Sequence, residues 1–277
     1  MKLLVIGDLH GNKPLIHFKD FDVIIAPGDF CSDKIREYIF QAMRMKIADP
    51  KSKIKWKHIV GKNKAKKMLA NSIRDGRKIL EFLNSFEVPV FVVPGNWEPK
   101  GKKWKKMIVG LKNLNDVNLM RKTLDEINFL GYGYVSEPEI PKYSEDKKRL
   151  TKKELDKKKK DYIKNKNRLS NLFQKIKNPV IFMPHNVPFR TSLDKIVNKN
   201  SPANGKHYGS IIAREMIEEY QPLLCIGGHM HEHFGKCRIG KTIVINAGFG
   251  SKVNTLIDLD KEKGKIRSIK FHPRTYG

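Results

Sequence analysis

Cysteine is scarce in this chain of 277 residues: only three occur, Cys31, Cys225 and Cys237, an odd number with no paired short spacing. That argues against a disulfide framework and against a thiolate zinc cluster, and it places the chain in a reducing compartment, the cytoplasm. Long apolar runs are missing too. None approaches the ~20 residues that span a bilayer, and the opening MKLLVIGD turns acidic too soon for a secretory leader. No internal repeat is present, and no Gly/Ser- or Pro-rich stretch marks a linker. Acids are few, 29 Asp and Glu against 56 Lys and Arg, so the formal net charge is +27.

More than half of that excess falls in two places. KSKIKWKHIVGKNKAKK (51–67) holds eight lysines and no acid, and KKRLTKKELDKKKKDYIKNK (147–166) holds ten lysines and one arginine against three acids. A basic surface draws in polyanions, nucleic acid among them. Lysine-rich solvated helix faces give the same composition, and the preference for Lys over Arg favours that plainer explanation.

Short β-branched runs recur and stop at Gly, Asn or His: LLVIGD (3–8), VIIAPGD (23–29), PVFVVPGN (89–96), INFLGYG (127–133), PVIFMPHN (179–186) and LLCIGGH (223–229). Continuous apolar runs of this length predict strands buried on both faces. Helical spacing covers 63–86, 209–220 and 151–177, the last with an imperfect stripe of Leu155, Ile163, Leu169, Leu172, Phe173 and Ile176. TIVINAG, NTLIDLD and IRSIKF near the C-terminus predict further strands, hence a second sheet. The expected organisation is α/β, one domain over 1–277 with basic helical insertions near 31–70 and 136–177.

Polar side chains gather where the predicted strands end: Asp8 and His10, Asp29, Asn96, His185, then His229 and His231. In an open α/β sheet ligands bind at that edge. Taken singly, an Asp placed like Asp8 is more often a helix cap, and a lone histidine like His185 is more often a satisfied core residue. As a set, these oxygen and imidazole groups suit Mn, Fe or Zn rather than Ca or Mg, and seven are too many for one ion and about right for two.

GDLH, GDF, GNWE, PHN and GHMH, in this order along nearly the whole chain, resemble the calcineurin-like metallophosphoesterase family, whose pattern is D-x-H, G-D, G-N-H-[DE], a lone His and G-H-x-H. The resemblance implies a four-layer α/β/β/α sandwich of two mixed sheets flanked by helices, with a dinuclear metal site at the sheet edge. It also assigns ligands. Asp8, His10, Asp29 and His231 would hold one divalent ion, and Asp29 as the bridge would hold the second with Asn96, His185 and His229. Manganese leads, with Fe or Zn as alternatives. A hydroxide shared by the two ions would attack phosphorus in line.

The family's histidine in G-N-H-[DE] is Trp97 here, and an indole is a hydrogen-bond donor that cannot act as an acid near neutral pH. That weakens a phosphomonoesterase reading and favours phosphodiesters, with nucleotides or nucleic acid as the class that the basic insertions suggest. The alternatives are a broad small-molecule phosphomonoesterase and, in a different class, a catalytically weak scaffold or a nucleic-acid-binding protein. His207 in NGKHYGS is a candidate replacement proton donor at the substrate pocket, which makes Asp29, Asn96 and His207 the catalytic candidates. Trp97, Glu98 and Asn186 are expected around the ligands or the substrate.

Overall fold

Each strand-forming run buries alternate side chains on opposite faces, which is why the runs are continuously apolar. The computed structural model describes residues 1–49, 52–174 and 176–273; positions 50, 51 and 175 of the two basic segments and residues 274–277 lie outside them. In chain order the elements are β1 (Lys2–Val5), β2 (Val23–Ala26), α1 (Arg36–Ala48), α2 (Trp56–Val60), α3 (Lys62–Asn84), β3 (Val90–Val92), α4 (Lys102–Ile108), β4 (Leu114–Asp116), β5 (Arg121–Leu124) and β6 (Ile127–Tyr132). There follow α5 (Ser144–Lys148), α6 (Lys152–Phe173), β7 (Val180–Pro184), α7 (Ile211–Tyr220), β8 (Leu224–Gly227), β9 (Gly235–Ile239), β10 (Thr242–Asn246), β11 (Asn254–Asp260) and β12 (Lys265–His272).

Two six-stranded mixed sheets result, ordered β12-β11-β1-β2-β3-β4 and β5-β6-β7-β8-β10-β9. β1 to β4 run parallel, with β4 at one edge, as do β6, β7, β8 and β10, and antiparallel strands close the other three edges. Leu3, Val5, Val23, Ile25 and Phe91 of the first sheet meet Ile127, Phe129, Ile181, Met183, Leu224 and Ile226 of the second in one core. The Phe91 and Phe129 rings stack across it with centroids 3.7 Å apart.

The alternate side chains along each strand face the other way. Leu4, Ile24, Val90 and Val92 pack under α3 and α4 through Ile79, Leu80, Leu83, Trp104 and Met107. On the other side Phe182 and Cys225 pack under α6 and α7 through Leu169, Phe173, Ile212 and Met216. At roughly 1.5–3 kcal/mol for each fully buried large side chain, these three cores hold the four layers together. The sandwich implied by the resemblance is the architecture observed.

α6 departs from its predicted stripe: Leu169 and Phe173 are buried, but Ile163 is 56% exposed, and Tyr162 takes the inward position instead. Thr151 caps this helix in a box with Glu154, whose N–H donates to Thr151 Oγ1 at 3.3 Å while its carboxylate accepts from the Thr151 N–H at 2.8 Å. No helix among the described residues is long and apolar enough to cross a membrane.

Candidate metal centre

β1, β2, β3, β7 and β8 all end at one edge of the sandwich, and all seven predicted ligands lie in the turns that follow them. Asp8, His10, Asp29 and Asn96 come from the first sheet, and His185, His229 and His231 from the second. The turns are tied to one another: Asp8 N–H donates to Gly28 O at 3.3 Å, His10 N–H to Asp29 O at 2.8 Å, and Gly228 N–H to His185 O at 2.7 Å. Four of the seven adopt left-handed backbone, with φ of 50° at Asp8, 46° at His10, 58° at Asp29 and 69° at His229. Each such residue costs on the order of 1–3 kcal/mol, and such strain gathers at functional sites.

The side chains fall into two groups. Ligand atoms of Asp8, His10, Asp29 and His231 lie within 4.8 Å of one another, and so do those of Asp29, His185 and His229. Asp29 belongs to both. His10 Nε2 and His231 Nε2 are 3.2 Å apart, and Asp29 Oδ2 lies 3.8 Å from His10 Nε2 and 3.4 Å from His185 Nε2. Asn96 Oδ1 sits 3.0 Å from His185 Nε2, beside His229 Nδ1 and the Asp29 carboxylate as well.

These contacts fit divalent cations. The Asn96 oxygen faces only acceptors, an arrangement that a cation among them satisfies. Asp8 Oδ1 and His10 Nδ1 are buried without a hydrogen-bond partner, which is costly unless another group engages them. The first group offers two carboxylates and two imidazoles; the second offers the shared carboxylate, two imidazoles and an amide oxygen.

Electrostatics divide the groups further. Burial drives the Asp8 carboxyl well above the usual range, only partly countered by His185. Burial pushes Asp29 up as well, yet His185, His10 and His229 outweigh it and hold Asp29 well below the usual carboxylate range. Burial lowers His185, but Asp29 more than offsets that and brings it to about 9. Burial and neighbouring charge take His229 down to about 4 and His231 to about 3, so both rings are neutral at physiological pH, the form in which imidazole binds a metal.

Backbone groups aim the rings. His185 Nδ1 donates to Pro27 O at 2.7 Å, which fixes Nε2 toward the site, and a hydrogen bond with the Ser136 backbone holds His229. Glu98 is buried and acts on the turns themselves: its carboxylate accepts from the N–H groups of Asp29 (2.8 Å), Cys31 (2.9 Å) and Gly95 (2.5 Å). Burial and the charge of Asp29 push Glu98 up to about 7. Two glycines mark close approaches: a Cβ on Gly95 would stand 2.5 Å from Asp29 N, and one on Gly228 would stand 2.6 Å from Asp8 Oδ2.

A sequence description of calcineurin-like phosphoesterases matches residues 1–233, the span that carries all seven ligand candidates. The chain belongs to that family. It is 26% identical over 253 residues to the uncharacterized protein MJ1162 of Methanocaldococcus jannaschii, covering 89% of this chain and 87% of that one. A crystal structure at 18% identity shares the fold over 97% of this chain and 98% of its own, with a TM-score of 0.64. Membership implies a hydrolase of phosphoesters; the family uses divalent metals at a dinuclear site, and this chain carries candidate ligands for one.

Within this calcineurin-like phosphoesterase, Trp97 stands beside the first group. Its N–H donates to Asp29 Oδ1 at 3.0 Å, its ring meets His10 edge-on at 6.1 Å, and its indole nitrogen lies 3.3 Å from the Asn96 amide. Asn186 donates to Tyr208 O at 2.9 Å, and its own Oδ1 is buried without a partner. His207 is placed differently. Its Nδ1 pairs with Asp194 Oδ1 at 2.7 Å and its backbone N–H donates to Tyr143 Oη at 2.8 Å, contacts with the start of α5 and the loop before α7 rather than with a ligand.

Arg36, Phe249 and Ser136 were not among the expected site residues. Arg36 Nη2 lies 3.4 Å from His231 Nδ1, and Phe249 stacks on the His231 ring at 4.0 Å. Nothing local in the sequence sets Arg36 apart from the other 55 basic residues; only its place at the start of α1 does.

Proposed function

We propose that this protein is a phosphodiesterase. Asp8, His10, Asp29 and His231 hold one divalent ion, and Asp29, Asn96, His185 and His229 hold the other; the observation that carries this reading is that Asp29 belongs to both clusters. Two ions held so would supply a water of lowered pKa and neutralise charge on the phosphoryl oxygens. Asn96 and Asp29 fix where the reacting phosphorus sits. Manganese is the ion we assign, because oxygen donors and imidazole are mixed in both groups. Three free cysteines support a cytoplasmic setting.

The preference for diesters rests on Trp97. An indole cannot deliver a proton to an alkoxide, so substrates whose leaving group departs readily fare best. Hydrolysis of an aryl phosphodiester and the matching monoester by manganese-loaded protein tests the reading. The diester is expected to give the higher kcat/KM, and monoester preference overturns it. Trp97→His restores the family residue and is expected to raise monoester hydrolysis by about 100-fold, the lower end of what general acid help gives.

For the proton donor that Trp97 cannot be, we propose His207. Asp194 is buried, accepts N–H bonds from Arg190, Thr191 and Gly209, and so holds the His207 ring by Nδ1, leaving Nε2 to serve a leaving group. His207→Ala is expected to slow alkyl-ester hydrolysis at least ~10-fold more than aryl-ester hydrolysis. Equal losses on both would remove His207 from the chemistry.

A further inference from the structure

Both basic segments leave from the metal centre. Arg36 opens α1 with Nη2 3.0 Å from Asp33 Oδ2 and its guanidinium about 6 Å from the rings of Trp97 and Phe249. Ser136, which opens the second segment, is hydrogen-bonded through its backbone to His229. From Arg36 the helix rises 1.5 Å per residue, so Met43 and Ile47 lie about 10 and 16 Å further out.

α1 buries only Ala42. Phe40, Met43 and Ile47, at three and four spacing and so on one face, are 46%, 49% and 56% exposed. Opposite stands α5, fastened to the loop before α7 by Tyr208 Oη donating to Asp146 at 3.0 Å and by Lys206 pairing with Glu145 at 3.4 Å. Met43, Lys46 and Ile47 of α1 and Glu145, Lys148 and Arg149 of the α5 segment line a groove of about 620 Å³ between the two insertions. Three cations and one carboxylate line it; that carboxylate is paired with Lys206 and Arg149 with Asp146 at 3.7 Å, which leaves Lys46 and Lys148, one on each wall, for an anion.

A small phosphoester held at the metal centre reaches none of this. A polyanion long enough to continue outward reaches all of it, and the apolar floor distinguishes among polyanions. Plain polyphosphate has nothing to lay on Met43 and Ile47 or on Phe40 next to them on the same helix face, and duplex nucleic acid hides its bases. A single strand offers phosphates and unstacked bases together. We propose that the groove between α1 and α5 holds the part of a single-stranded nucleic acid that adjoins the phosphodiester at the metal centre. Phosphates lie against Lys46 and Lys148, and bases lie on the exposed face of α1. This rests on the phosphodiesterase reading for the position of the reacting bond, but the groove is tested without turnover.

The test is fluorescence anisotropy of a short labelled oligothymidylate with the full-length chain in chelator, over a series of salt concentrations. Lys46→Glu with Lys148→Glu, one change on each wall, is expected to raise Kd at least ~10-fold and to flatten the salt slope by ~1.4, for two lost phosphate contacts at ~0.7 each. Lys263→Glu with Lys265→Glu makes the same charge change at the β11–β12 turn, on the sheet edge away from the ligands, and is expected to raise Kd far less. Equal weakening by the two pairs means that net charge alone attracts the strand and overturns the proposal. So does duplex DNA displacing the probe more tightly than the single strand. Manganese-loaded wild type that binds the probe but cleaves no aryl diester overturns the reaction class and leaves the groove standing.

Discussion

Asp29→Ala is expected to lower manganese-dependent phosphoester hydrolysis by about three orders of magnitude, equivalent to ~4 kcal/mol of transition-state stabilisation. Asp29 is the residue shared by both clusters, and its Oδ2 stands between the Nε2 atoms of His10 and His185. Without it each cluster loses a ligand, and the second loses its only carboxylate among the described candidates. Bound metal measured by elemental analysis after dialysis is expected to fall from two ions per chain to one or fewer. Packing contributes little to the loss: the carboxylate accepts one backbone N–H, from Trp97, worth about 1 kcal/mol. Asp29→Asn keeps the shape and removes the charge, so near-equal losses in the two variants identify charge as the cause. A variant that keeps both ions and most of its rate would sink the dinuclear assignment.

Gly95→Ala is expected to abolish the stabilisation that metal gives, through a methyl group alone. The added carbon would stand 2.5 Å from the backbone nitrogen of Asp29 and inside the space of its carboxylate. The obstruction is backbone in a short turn pinned by Glu98, so it cannot swing aside as a flexible side chain would. Overpacking costs ~1–3 kcal/mol where neighbours adjust, and the upper end is expected here. Thermal unfolding with chelator and with manganese separates the effects: the variant melts lower in both and gains nothing from the metal. A normal metal-induced rise in Tm would show that the turn relaxes and that this glycine is dispensable.

Much of the fold was legible because the strands lie between two covered faces, so their sequences are apolar without interruption. β2, β3, β6, β7 and β8 fall inside the predicted runs, β1 starts one residue before its run, and α3 and α7 lie within about two residues of theirs. β4, β5 and β9 were not legible: they are three to five residues long and largely half-exposed, so LND, RKTL and GKCRI carry no apolar run to detect. α1 was expected only as part of a helical insertion near 31–70 and not delimited, since its apolar face meets no core. At the site, the seven ligand candidates could be picked out because each ends a strand after Gly or Pro or in a short turn. Arg36, Ser136 and Phe249 reach the centre only through tertiary placement, and no spacing rule announces a contact between residues 36 and 231. Glu98 was expected near the ligands, but its part, three backbone N–H groups from two different turns on one carboxylate, depends on how those turns cross.

Each cluster draws on both sheets: His231 joins three residues of the first sheet, and His185 with His229 joins Asp29. An ion in either position therefore rivets one half of the sandwich to the other, between residues well over a hundred positions apart in the chain. Metal at a hundredfold above its dissociation constant would add about 2.7 kcal/mol to folding, a large share of the stability of an ordinary domain. For a cell, metal starvation would then be felt first as turnover. The unloaded chain opens more often, proteases meet it open, and its abundance falls with the metal supply before substrate is ever in question.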